Sequence, residues 1–237
     1  MAFNYSPKIV TNGLVFYVDA ANTRSYPGSG TVWTDLSRGG NNGTLTNGPT
    51  FNSANGGSIV FDGTNDYINL TLNTGSFTTE ATLMMFLKLN NATPTLASQT
   101  GIERISANAT KQASHYPWTD GLAYFGTFQT GSTRIDSIAL SNSIVRTNWH
   151  MITITSSPGT DNWKFYQNTQ LIKTAVGSNT VSFSSDSIYD IARSQTLTNG
   201  TSYYFTGNIA NIILYNRALS ATEIQQNYNA TKTRFGL

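Results

Sequence analysis

The chain is 237 residues long, only 11% of them charged, with a formal net charge of +2 and no cysteine. Soluble domains carry roughly 25% charged residues, so here Asn, Ser, Thr and Gly supply polarity without ions. The absence of a basic run leaves no electrostatic footprint for nucleic acid, and without cysteine there is no disulfide framework or thiolate nucleophile.

The opening MAFNYSPKIV lacks the charged head and apolar core of a secretory signal. No stretch reaches 18 apolar residues, so no helical membrane span is expected. The length fits one β-sandwich domain over 1–237, with residues 1–12 as an arm and 232–237 as a tail.

Leu14 to Val18 is a short apolar run after Asn12-Gly13 and predicts the first strand. Tyr26 to Pro49 is dense in Gly, Asn, Ser and Thr, which predicts successive turns around Trp33 and Asp35-Leu36-Ser37. In Ser58 to Leu70, Ile59 and Phe61 alternate, Asp62-Gly63-Thr64-Asn65 breaks the run, and Tyr67-Ile68 resumes it. That pattern predicts a hairpin. Phe77 to Leu89 alternates again and predicts a strand. The pattern is less regular from Asn90 to Thr119, where 99–112 fits either a short helix or a long hairpin. Leu122–Phe128, Arg134–Leu140, Trp149–Thr155, Trp163–Ile172 and Ile188–Ala192 each predict strands.

Tyr203 to Tyr228 organises the rest. Ala210, Ile212 and Leu214 alternate with Asn211, Ile213 and Tyr215, apolar on both sides, as expected of an interior strand. Ser220 and Glu223 have capping-box spacing, and Leu219 and Ile224 sit where a hydrophobic staple would. A short helix from Ser220 to about Tyr228 follows, with Ile224 and Tyr228 one turn apart. Many short strands and one capped helix predict an all-β fold: two packed antiparallel sheets, a β-sandwich.

The series Phe205, Gly207, Ile209, Ile212, Tyr215-Asn216-Arg217-Ala218-Leu219-Ser220, Glu223-Ile224 and Asn227-Tyr228 resembles the closing segment of the concanavalin A-like lectin/glucanase superfamily, of the laminin-G and pentraxin type. Phe61-Asp62-Gly63 with Asp66-Tyr67, Trp149-His150-Met151-Ile152 and Trp163 to Asn168 resemble further segments of it, though Thr169 stands where the family has a glycine after Asn168. The resemblance implies a jelly roll. Gly13 to Phe51, with Asp19, Ser25-Tyr26, Trp33, Asp35-Leu36-Ser37 and Asn42-Gly43 in order, resembles lectin-like structural proteins of tailed phages of marine bacteria.

Three chemistries follow from that resemblance. Glycoside hydrolysis needs two facing carboxyl groups; the three glutamates are Glu80, Glu103 and Glu223, and the close carboxylate run of the fold's glucanases is missing. The protein is therefore expected not to be an enzyme. A metal, calcium if any, would find oxygens at Asp62, Asn65 and Asp66; the same residues also suit a backbone-binding turn, and no cofactor is otherwise expected. A sugar would find aromatic and polar groups together at His115, Tyr116, Trp118 and Asp120, on a loop. The leading expectation is a non-enzymatic phage virion protein, a capsid decoration or a tail or fibre component. Its partners would be other virion proteins or copies of itself, and cell-surface polysaccharide. The alternative is a carbohydrate-binding module of a bacterial, extracellular protein; a glycoside hydrolase ranks third.

Overall fold

The computed structural model describes residues 8–72, 80–107, 110–111, 114–125, 136–139, 144–157, 163–175, 188–195 and 201–237. In chain order the strands are β1 (Leu14–Asp19), β2 (Val32–Trp33), β3 (Gly43–Thr46), β4 (Thr50–Asn52), β5 (Ser58–Asp62), β6 (Tyr67–Thr71) and β7 (Ala81–Leu89). Then come β8 (Gly101–Ala107), β9 (Thr110–Lys111), β10 (Ser114–His115), β11 (Leu122–Phe125), β12 (Asp136–Ala139) and β13 (His150–Ser156). The last are β14 (Trp163–Gln167), β15 (Gln170–Ala175), β16 (Ile188–Ile191), β17 (Arg193–Gln195), β18 (Ser202–Tyr204) and β19 (Thr206–Tyr215), followed by helix α1 (Ala221–Thr231).

The back sheet runs β15-β14-β13-β7-β19-β5-β4, with β1 also on β19. The front sheet runs β12-β11-β10-β8-β16-β6-β3-β2, with β9 on β8. All registered pairs are antiparallel; β17 and β18 form a separate hairpin. Within 99–112 the described residues form the end of a 3-10 turn, Ala97–Gln99, and the paired strands β8 and β9. At the β14–β15 turn Asn168 takes the left-handed conformation, φ 52, and Thr169 does not, so position 169 does not call for glycine.

Alternation on each sheet feeds one interior. Phe16, Val18, Ile59, Phe61, Met85, Leu87, Ile209, Ile212 and Leu214 meet Leu45, Ile68, Leu70, Ile102, Tyr189 and Ile191 across the gap. A second apolar cluster lies on the outer side of the back sheet, where Met84, Phe86, Met151, Ala210, Ile213 and Tyr215 take up Leu219 and Ile224 from the α1 end. The predicted capping box is formed: Ser220 Oγ accepts from Glu223 N, and the Glu223 carboxylate accepts from Ser220 N.

Four expectations are corrected. Ser58–Leu70 is not a hairpin: β5 pairs with β19 and β4 in the back sheet, while β6 pairs with β16 and β3 in the front one. The Asp62–Asp66 turn is a crossover, which local alternation cannot tell from a hairpin. Ala210 lies with Ile213 and Tyr215, not with Ile212, because a register shift between Ile209 and Asn211 flips the phase of the strand. The helix runs on to Thr231, past Tyr228. The expected tail is a packed 3-10 turn, Lys232–Phe235. Phe235 stacks on Phe86 at 5.1 Å, and the Arg234 guanidinium pairs with Asp19 at 2.6 Å. The N-terminal arm is also held where described: Val10 N donates to Asn227 Oδ1, and Tyr215 OH donates to Val10 O.

Candidate functional site

The two sheets treat solvent differently. Every residue of β13 and β19 is buried, because the helix and both terminal segments cover the back sheet. The front sheet is open on its outer side at β3 and β6, where Thr44 is exposed and Thr46, Tyr67 and Asn69 are half-buried between core residues Leu45, Ile68 and Leu70.

At the end of this face the chain after β10 turns tightly. Trp118 N donates to Leu122 O at 2.7 Å and Gly121 N to Trp118 O at 2.9 Å. Asp120 braces the turn, accepting from Leu122 N at 2.9 Å and from the Tyr124 hydroxyl. Trp118 is half-buried and meets His115, Tyr203 and Tyr124 edge-on, with ring centroids 4.5, 5.5 and 6.5 Å away. Such edge-to-face contacts fix ring orientation.

The four loop residues read from the sequence therefore separate. Trp118 is half-buried and Asp120 exposed, but His115 and Tyr116 are closed to solvent at 0%. His115 lies under Trp118 and Tyr203, with Thr100 Oγ1 2.9 Å from its Nδ1. Tyr116 reaches across to the back sheet. His150 Nδ1 faces the Asn148 carbonyl at 2.9 Å, so that nitrogen carries the proton and Nε2 accepts from the Tyr116 hydroxyl at 2.8 Å. Gln167 Nε2 donates to the same hydroxyl at 2.9 Å. Burial pushes the Tyr116 hydroxyl well above, and His150 below, their ordinary pKa ranges. These buried residues anchor the loop; the surface is Trp118, Asp120, Tyr124 and Tyr203.

Tyr124 and Tyr203 had no sequence signal. Tyr203 arrives because the β17–β18 hairpin folds onto β8 at Gly101, where a Cβ would overlap the Tyr203 carbonyl. Across the hairpin Ser194 pairs with Tyr203 and Arg193 with Tyr204, so Arg193 and Tyr204 serve the other flank. There the Arg193 guanidinium lies 4.8 Å from the Tyr67 ring centroid and 6.0 Å from that of Tyr204. It donates to Ser202 Oγ at 3.2 Å and to Asp190 Oδ2 at 3.5 Å, an ion pair. Asn69 Nδ2 donates to the other Asp190 oxygen at 2.9 Å.

Two of the candidate calcium residues spend one carboxylate oxygen each on local backbone N–H groups. Asp62 Oδ1 accepts from Thr64 N at 2.7 Å and from Asn65 N at 3.4 Å. Asp66 is 4% exposed and accepts from Asp62 N at 3.2 Å; burial raises its carboxyl pKa. Asn65 is exposed. Asp62, Asn65 and Asp66 thus build a crossover turn and do not fit the six to eight converging oxygens calcium takes. Among the described residues no three His, Cys, Asp or Glu side chains gather as a metal group. Of the glutamates, Glu223 pairs with Arg217 and caps α1, and Glu80 accepts from Ala218 N at 3.3 Å. The Glu103 side chain lies outside the described residues.

A laminin-G family model, described as concanavalin A-like lectin/glucanases superfamily, matches residues 62–225. The chain belongs to that superfamily. Among solved structures, this concanavalin A-like sandwich is similar to domain 4 of AbnA, a GH43 extracellular arabinanase from Geobacillus stearothermophilus, in complex with arabinotriose. The TM-score is 0.69 at 14% identity, over 92% of this chain and 100% of that one. It is similar to the binding domain of Paraclostridial Mosquitocidal Protein 1, with a TM-score of 0.67 at 17% identity over 92% of this chain and 52% of that one. It also resembles a Trypanosoma rangeli sialidase, with a TM-score of 0.66 at 14% identity, and spans 36% of that enzyme's length. No curated protein sequence matches the chain.

Proposed function

We propose that this concanavalin A-like chain is a glycan-binding module that does no chemistry on its ligand. The observation that carries the reading is the surface group of Trp118, Tyr124 and Tyr203 beside Asp120. Sugars present apolar ring faces and a rim of hydroxyls, and this group offers aromatic surface with a carboxylate next to it. The rings are held by mutual edge contacts and by a loop anchored in the core, so little side-chain freedom is lost on binding. An arabinanase domain solved with arabinotriose and a toxin's binding domain share the fold, which supports the reading. Of the described glutamates, Glu80 and Glu223 are taken up at the corner of β19 and α1, which favours binding over catalysis. The test is calorimetry with soluble polysaccharides, arabinan among them: Trp118→Ala is expected to weaken binding about ten-fold or more, with no reducing sugar released. Unchanged affinity in Trp118→Ala would sink the assignment of the site.

A second reading places the same module on a phage particle, bound to other virion proteins or to its own copies. The resemblance of Gly13 to Phe51 to lectin-like phage proteins favours it, as does the charge-poor surface, which lowers the desolvation cost of an interface. Mass spectrometry of purified virions tests it; absence from the particles would leave the glycan-binding module alone.

A further inference from the structure

We propose that the rim of the sandwich beside the Trp118 turn carries an oxyanion subsite centred on Arg146. The ligand class is then an acidic glycan, one bearing carboxylate or sulfate groups; this rests on the glycan-binding reading and narrows it. Of the half-buried arginines among the described residues, Arg193, Arg217 and Arg234 each pair with a carboxylate. Arg146 meets only neutral oxygens among the described residues. Its Nε donates to Ala92 O at 2.7 Å and its Nη2 to Thr93 Oγ1 at 3.5 Å. Both bonds use one edge of the planar fork. Nη1 makes no hydrogen bond among the described residues, and it is not one of the buried polar atoms that lack a partner. The outer edge of this fork is therefore open.

The fork is held in place from two sides. Arg146 O accepts from Leu89 N at 2.9 Å, which ties its backbone to the end of β7, and the Nε bond ties its head to the loop that follows β7. Thr93 on that loop links Arg146 to the Trp118 turn. A Cβ added at Gly121 would meet only Thr93 Oγ1 among the described residues, at 3.9 Å. The ground between the turn and Arg146 is thus bare of side chain. Asp120, next to Gly121, does not neutralise the cation, because its two oxygens accept from Leu122 N and the Tyr124 hydroxyl. A half-buried charge with no counter-charge is costly. An incoming oxyanion supplies that counter-charge and takes charge-assisted bonds along the open edge. A sugar seated against Trp118 reaches Arg146 across Gly121 with its own acidic group or that of the next sugar.

The experiment measures binding of the full chain, by calorimetry, to polygalacturonate beside its carboxyl-reduced form and to a sulfated galactan beside its desulfated form. The expected result is that an acidic form binds about ten-fold or more tightly than its neutral partner; the pair that shows it tells carboxylate from sulfate. Arg146→Gln is expected to bring the acidic form down to its neutral partner, and Arg146→Lys to recover only part of the preference, since lysine keeps the charge and loses the fork. Arg24→Gln removes one charge from an exposed turn elsewhere and should leave the preference in place. Equal losses in Arg24→Gln and Arg146→Gln would overturn the subsite in favour of net charge alone. Equal binding of acidic and neutral forms, still lost in Trp118→Ala, would overturn the subsite and leave the module intact. Binding of none of the probes, with neutral arabinan also inert, would overturn both. If Arg146→Gln fails to fold, Gly121→Asn decides. Gly121 has φ 81, which asparagine tolerates, and the added side chain fills the bare ground. It should weaken the acidic form about ten-fold, and unchanged affinity would overturn the subsite.

Discussion

Acid should weaken this fold through His150. The ring is 1% exposed, and burial, with a smaller push from Arg146, lowers its pKa to about 4, against the opposing pull of the Asn148 carbonyl. In the unfolded chain the imidazole titrates near 6.5. The folded state therefore binds fewer protons between those values, so stability falls as pH drops from 6.5 toward 4. At pH 7 both states are essentially neutral and nothing is lost. At pH 5 the unfolded ring is protonated and the folded one is not, a difference of about 2 kcal/mol. Below pH 4 the loss levels off at about 3 kcal/mol. Asp66 acts in the opposite sense, since burial raises its pKa and protonation then favours the folded state in the carboxylate range. Urea unfolding at pH 7, 6 and 5 is the assay, with His150→Gln as the comparison. The variant should lose stability at pH 7, because Tyr116 and Asn148 are left to a poorer partner, but its pH dependence should be flatter by the amounts above. Subtracting the two removes Asp66 and every other shared group. Parallel pH curves for the two proteins would refute the reasoning.

Two further outcomes concern single positions. Gly101→Ala should cost more than about 2 kcal/mol, or lift the β17–β18 hairpin and expose Tyr203; unchanged thermal unfolding together with unchanged tyrosine accessibility would contradict the packing at Gly101. Excess EDTA or added calcium should leave the melting temperature in place, while Asp62→Ala should cost about 1 kcal/mol through the lost turn bonds; a calcium-dependent rise in melting temperature that Asp62→Ala abolishes would establish a metal there.

What the sequence disclosed was what local chemistry determines. The Ser220–Glu223 cap was readable because its two hydrogen bonds join residues three apart, and β19 because its side chains are apolar on both sides. The phase of Ala210 was not, since a one-residue bulge leaves composition untouched. Asp62 to Asp66 looks the same whether the next strand returns to its own sheet or crosses to the other; the choice is made by distant Ile209 and Asp190, which pair with Ile59 and Asn69. The candidate site shows the same division. Trp118 and Asp120 were legible as a loop, but His115 and Tyr116 carry the same residue chemistry and are sealed under it. Tyr203 and Arg193 were silent because the hairpin that presents them is placed by a missing side chain at Gly101.

β19 pairs with β1, β5 and β7, and through Tyr215 it bonds to Val10, 205 positions earlier. Contacts of that span make for slow folding, since the closure entropy is met before the contacts reward it. On the ribosome, at roughly 5 to 20 residues per second, β1, β5 and β7 spend many seconds exposed with no central strand between them. The back sheet cannot close until residues 206–215 emerge. A chain interrupted before Thr206 therefore leaves three apolar strands with open edges, a state prone to aggregate, and folding yield in a cell depends on what shields those strands until the tenth residue of β19 arrives.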